Sequence, residues 1–131
     1  MQEDPRLSVV ILYTHPLFGE GIARLLAAEA LPAAVYNFHT VKPLDAQAVC
    51  GLAADYKMIV SVEEHSIYGG LGTALAEMLA ERHAGGSHAR LVRLGVRDTF
   101  GESGTADELL KKHGLDDQGI ALSVRRAWTS P

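Results

Sequence analysis

Apolar positions along this chain fall in two alternating rhythms. Four short runs are apolar almost without interruption: SVVILYT at 8–14, AAVYNFHT at 33–40, KMIVSVEE at 57–64 and RLVRLGV at 90–96. Continuity over that length suits strands covered on both faces, where each face buries every second residue. Between the runs, apolar residues recur at helical spacing. In PLFGEGIARLLAAEA, Phe18, Ile22, Leu25 and Leu26 fall at i, i+4, i+7 and i+8, along one helix face. Val49, Leu52 and Ala53 share a side of a shorter helix that Asp45 can cap. Leu71, Leu75, Met78 and Leu79 repeat the first spacing.

The last third is punctuated more fully. Thr105 stands at an N-cap with Glu108 three residues on, the capping-box spacing, and Asp107 suits the positive end of the helix dipole. KKHG closes that helix with basic residues and places Gly114 at its C-terminal cap. Asp116 can open a last helix with Ile120, Val124 and Ala127 facing inward and Trp128 pinning its end. Strands alternating with helices imply right-handed crossovers, hence a three-layer α/β/α fold with a mostly parallel sheet of about four strands. Residues 1–131 are read as one domain, with 1–7 a polar tail and HAGGSHA at 83–89 a surface loop.

Composition narrows the function classes. The 131 residues are 47% apolar and 21% charged, a globular balance. The net charge is −4 and the 12 basic residues are scattered, so there is no basic stripe to offset phosphate and no nucleic-acid partner is expected. Cys50 stands alone inside a helical pattern, which predicts a small buried hydrophobe rather than a reactive thiol or a disulfide. The polar, acidic MQEDPRLSVV lacks the pattern of a signal peptide, and nothing approaches the roughly 18 apolar residues of a membrane span. The expectation is a cytoplasmic chain with no membrane partner.

In sheets of this kind the working edge lies at the carboxyl ends of the strands. Those exits supply Tyr13, Thr14 and His15, then His39, Thr40 and Lys42, then Glu63, Glu64 and His65, then Arg97 and Asp98. The richest junction is EEHSIYGGLG. Gly69, Gly70 and Gly72 open a helix and could bring backbone N–H groups to an anion. The spacing matches neither a dinucleotide fingerprint nor a phosphate-binding P-loop, so close backbone packing, here against a neighbouring subunit, is the favoured reading. Glu63, Glu64 and His65 are metal-ligand types, with His39 a further partner if its strand exit adjoins theirs. Adjacent strand residues diverge, however, and the spacing matches no known ligand set, so hydrogen bonding at a surface is favoured. Arg93 and Arg97 are read as solvated or paired.

The opening VVILYTHPLFGEGIARLL is superficially like a response-regulator receiver domain. That chemistry needs an acidic pair where Tyr13 and Thr14 stand, and an aspartate where the third strand ends in Glu63 and Glu64. The receiver reading fails on those groups.

From residue 33 onward the chain resembles the C-terminal domain of transketolases, particularly the split bacterial and archaeal type. HTVKPLD at 39–45, VSVEEHSIYGGLGTALAEMLAE at 60–81 and RLGVRDTFGESGTADELLKKHGLD at 93–116 carry the likeness, in order. Deoxyxylulose-phosphate synthase and the β subunits of 2-oxo acid dehydrogenases share the VEE…GG.G junction, whereas HTVKPLD and FGESG lean toward transketolase. The first strand departs from the family: YTHPLF replaces a small-residue turn, and residues 1–7 are too short and polar to supply the antiparallel edge strand that usually precedes it. The resemblance implies a parallel sheet of order 2-1-3-4. It also implies that thiamine diphosphate and its magnesium belong to other domains of the parent enzyme, with no cofactor, metal or catalytic residue on this chain. It further implies a non-catalytic assembly role, as a homodimer or with chains carrying the thiamine-diphosphate-binding domains. Glu63, Glu64, His65, Gly69, Gly70, Gly72 and His39 are then candidates for an interface or anion site. The competing readings are a stand-alone module binding a small molecule or anion at the polar strand edge and, below it, a degenerate receiver-like signalling domain whose partner recognises the fold without phosphorylation.

Overall fold

A computed structural model describes residues 7–14, 19–82 and 89–131. The tail at 1–6, His15, Phe18 and the loop at 83–88 lie outside the described residues. The elements are β1 (Leu7–Tyr13), α1 (Gly19–Ala28), β2 (Ala33–Asn37), α2 (Ala46–Asp55), β3 (Tyr56–Ser66), α3 (Leu71–Arg82), β4 (Arg90–Val96), α4 (Ala106–Lys112) and α5 (Asp117–Thr129).

The four strands form one sheet in the order β2-β1-β3-β4, and every pairing is parallel. Period-two alternation divides the apolar residues of the central strands between two cores. Val9, Ile11, Met58, Val60 and Val62 pack with Ile22 and Leu26 of α1 and with Ile120 and Val124 of α5. Val10, Leu12 and Ile59 pack instead with Val49 and Ala53 of α2 and with Leu71, Leu75 and Leu79 of α3. Helices therefore cover both faces, giving the α/β architecture that the strand runs imply.

Helix ends follow the sequence closely. Asp45 accepts from the Ala48 N–H at 3.0 Å, and Asp116 from the Gly119 N–H at 2.9 Å. Thr105 and Glu108 form the reciprocal capping box. At the other end of α4, Gly114 adopts φ +67° just beyond the cap residue His113. The Gly114 and Leu115 N–H groups then return to the Lys111 and Leu110 carbonyls at 3.2 and 2.8 Å, a Schellman closure.

Three details differ from the sequence reading. β2 stops at Asn37 rather than running to residue 40, because its only neighbour, β1, ends at Tyr13. Cys50 is half-buried rather than buried: it lies one residue round α2 from the core position Val49. The end of α5 is pinned chiefly by Arg90, whose guanidinium donates to the Ala127 and Ser130 carbonyls at 2.8 and 3.1 Å, while Trp128 stays 37% exposed. Among the described residues, no helix is long and apolar enough to cross a membrane.

Candidate functional site

β3 runs two residues past its expected end because β4 continues to pair with it across an irregularity. Val62 is opposite Leu94 and Ser66 opposite Val96, so Glu63, Glu64 and His65 face the single residue Gly95. Such a bulge re-aims side chains at the end of a strand. Here it separates two neighbouring carboxylates to opposite faces of the sheet.

Glu63 turns toward α3 and is only 2% exposed. Its Oε2 accepts the Leu71 N–H at 2.7 Å and its Oε1 the Gly72 N–H at 2.9 Å. The first turn of a helix has N–H groups with no intrahelical acceptor, and its dipole favours negative charge there. Glu63 satisfies both needs from eight residues upstream, so a buried carboxylate and the orphan donors compensate one another. His65, two residues on and on the same side, places Nε2 at 3.3 Å from Glu63 Oε2 and Nδ1 at 2.9 Å from the Ser66 carbonyl oxygen. Both contacts are donor contacts only when the ring is an imidazolium.

The glycines make room for this arrangement. A Cβ on Gly70 would fall 1.9 Å from Glu63 Oε2 and 2.6 Å from His65 Cε1. One on Gly72 would fall 2.7 Å from Ser61 Oγ and 3.0 Å from Arg93 Cδ. The close approaches at Gly70 and Gly72 are thus made to side chains of this same chain. Gly69 takes φ +80°, and its N–H donates to Thr73 Oγ1 at 2.9 Å. The Thr73 hydroxyl and the Arg93 guanidinium both donate to the Ile67 carbonyl, at 3.2 and 3.3 Å.

Glu64 is exposed and faces the other side of the sheet. It stands on a cleft of about 320 Å³ whose apolar wall includes Val96, Leu109, Leu110 and Leu115. Glu102, also on this cleft, is ion-paired to Lys112, whose hydrogen bond and charge hold its carboxyl below the usual range. His39 is exposed beyond the end of β2. The condition under which His39 could join His65 is not met: β1 lies between the two strands, as the order 2-1-3-4 implies, and sets them roughly 10 Å apart. The structure therefore brings together Glu63, His65, Gly70 and Gly72, sets Gly69 beside them, and leaves Glu64 and His39 elsewhere.

Sequence reasoning passed over Ser61, Thr73 and Arg93 as members of this corner. Ser61 is fully buried, and its hydroxyl has no hydrogen-bond partner among the described residues. Strand alternation was the available signal, since Ser61 lies two residues before Glu63 and shares its side. Among the described residues no group of three or more His, Cys, Asp or Glu side chains could hold a metal ion. What the corner does chemically is to fix the start of α3 to the end of β3.

The sequence model of a family described as "Transketolase, C-terminal domain" matches residues 20–120. A 1-deoxy-D-xylulose-5-phosphate synthase of Dechloromonas aromatica is 41% identical over 115 residues, which is 87% of this chain and 18% of that protein. A putative transketolase C-terminal section of Methanocaldococcus jannaschii is 41% identical over 100 residues, covering 76% of this chain and 30% of that one. Among solved structures, a split-gene transketolase described as an inactive β4 tetramer superposes with a TM-score of 0.77 at 34% identity. That match covers 97% of this chain and 40% of the other. The chain thus spans less than half the length of each of these relatives.

Proposed function

Because the chain belongs to the transketolase C-terminal domain family, we propose that it is the non-catalytic assembly domain of a thiamine-diphosphate-dependent enzyme. The parent reaction in this reading is the transfer of two-carbon ketol units between sugar phosphates, with Glu63 to Gly70 forming a corner at a domain or subunit surface. The observation that carries it is the state of Glu63. Both oxygens of this buried carboxylate are already occupied by the N–H groups of Leu71 and Gly72, so it serves the fold rather than a reacting group.

The same residues do not suit the parent cofactor. A diphosphate at the start of α3 would meet the Glu63 charge already there, and Glu63 has no oxygen left to give magnesium without uncapping the helix. In this reading thiamine diphosphate and its magnesium are held by the other domains of the parent enzyme. The exposed members of the corner, His65 and Tyr68, are the groups available to a neighbour.

The test is to mix this chain with a transketolase, and separately with a deoxyxylulose-phosphate synthase, each truncated before its own C-terminal domain. Light scattering on the eluting peaks is expected to show a joint species with one of them. Separate elution at tens of micromolar in both mixtures would refute the assembly role (concentrations at which a complex binding with about −8 kcal/mol is mostly formed).

A further inference from the structure

The cleft beside Glu64 lies across the sheet from the Glu63–Gly70 corner and takes no part in capping α3. Its volume of about 320 Å³ is at the lower end of the roughly 300–1,000 Å³ of small-molecule sites. The walls are apolar and incompletely covered. Leu115 is buried, but Val96, Leu109 and Leu110 are only half-buried, and no residue of α4 is fully buried. The helix thus borders the cleft with apolar surface that the rest of the chain leaves wet, and an apolar body lying there would take that surface out of water.

The charge on the same cleft is negative. Glu64 and Glu102 stand on it, His113 adds an imidazole, and no lysine or arginine is among the lining residues. Glu102 is ion-paired to the Lys112 ammonium, whereas Glu64 has no ion-pair partner among the described residues. One carboxylate of the cleft therefore already holds an alkylammonium, and the other is left to receive one. A carboxylate accepts more strongly from a cationic donor than from a neutral one, and it repels an anion.

We propose that this cleft binds a small apolar amine as its ammonium ion, with the hydrocarbon body against Leu109, Leu110 and Leu115 and the ammonium on Glu64. The apolar walls supply the burial, and Glu64 sets the orientation and the sign of the charge that is accepted. The site goes beyond the assembly reading and does not depend on it, since every residue it uses belongs to this chain.

The probe is phenethylamine, compared with 2-phenylethanol and 3-phenylpropionate, which share its ring and two-carbon arm and differ in the charge of the head group. Each is titrated into the full chain and followed by backbone amide NMR shifts. The amine is expected to saturate with a dissociation constant of about 0.1–1 mM. The shifts are expected at Glu64, Val96, Leu109, Leu110 and Leu115. Binding of the amine is expected to be at least about tenfold tighter than that of the alcohol, with the propionate weakest. Glu64→Gln keeps the shape of the side chain and removes its charge. In that variant the amine is expected to fall to within about threefold of the alcohol, while the alcohol binds as it does to the wild type. Absence of saturable amine binding up to about 10 mM overturns the site, as do shifts centred elsewhere. An amine preference that survives Glu64→Gln, or a propionate that binds as tightly as the amine, overturns the role of Glu64. The titrations need this chain alone, so their failure is distinguishable from a failure to co-migrate with the truncated enzymes.

Discussion

Replacing Gly70 by alanine adds one methyl group where the structure has no room for it. The new Cβ would sit 1.9 Å from Glu63 Oε2 and 2.9 Å from Glu63 Cδ, far inside contact distance, so the carboxylate must withdraw. Withdrawal breaks its bonds to the Leu71 and Gly72 N–H groups, while the side chain stays in an almost fully buried place. A hydrogen bond to a charged group contributes about 1.5–3 kcal/mol, and losing a helix cap typically costs about 0.5–2 kcal/mol. These overlap rather than add, because the same two N–H groups appear in both figures. The expected loss is about 2–4 kcal/mol, large against the roughly 5–15 kcal/mol of a whole domain. Urea unfolding read by circular dichroism measures it as a shift in midpoint at constant slope. The reasoning assigns the cost to Glu63 in particular, and that assignment is separately testable in a double-mutant cycle. With Glu63→Ala as background there is no carboxylate to displace, and only the exposed ring of His65 adjusts. Gly70→Ala is then expected to cost less than about 0.5 kcal/mol, the scale of an ordinary surface change. Equal costs in both backgrounds would show that the methyl group acts through something other than the carboxylate, and the account of this corner would be wrong.

Three further outcomes follow from other positions. Gly114→Ala forces a side chain into the left-handed region at φ +67° and is expected to lower stability by about 1–2 kcal/mol, measured by the same urea titration; no loss would count against the Schellman closure. Ser61→Ala removes a buried hydroxyl that has no partner and is expected to leave stability unchanged or raise it by up to about 1 kcal/mol, whereas a clear loss would reveal a bond made by that hydroxyl. Glu102 is held below the usual carboxylate range by Lys112, so the contribution of this exposed pair is present above the ordinary carboxylate pKa. It is lost as pH falls through the depressed folded value. Lys112→Met is expected to return the Glu102 titration, followed by carboxyl-carbon NMR, to the usual range, and an unmoved midpoint would exclude Lys112 as the cause.

The architecture was legible because its signals are local. Four nearly continuous apolar runs predict buried strands, and three of the helix starts are written in Asp45, Thr105 and Asp116, each of which caps in the structure. The strand order came through the resemblance, since pairing is a long-range property that periodicity does not encode. The junction at 63–72 was legible as a place and not as an arrangement. Its two glutamates are adjacent in sequence, yet one caps a helix inside the protein and the other stands on a cleft across the sheet. Alternation foretold their divergence; which of the two would be buried depended on where α3 begins, ten or fewer residues away but set by tertiary packing. The role of Gly70 was hidden for the same reason, because its crowding partner is a side chain from the preceding strand. The separation of His39 from His65 followed from the strand order that the resemblance implied, since a strand intervening between two exits leaves no trace in the residues at either exit.

The Glu63 link has a consequence for how this protein tolerates alteration. By fastening residue 63 to residues 71 and 72, it closes a short circuit around the segment between them. Ile67 is itself anchored, through its N–H to Val96 and its carbonyl to Thr73 and Arg93, and Gly69 through its N–H to Thr73, which leaves the exposed Tyr68 as the outermost part of the circuit. The ends of that stretch are thus clamped whatever its length, and lengthening a surface loop between fixed ends costs only about 0.6 kcal/mol per doubling. A residue added beside Tyr68 is accordingly expected to cost the Gly69 N–H its bond to Thr73 while the strand and the helix on either side keep their places.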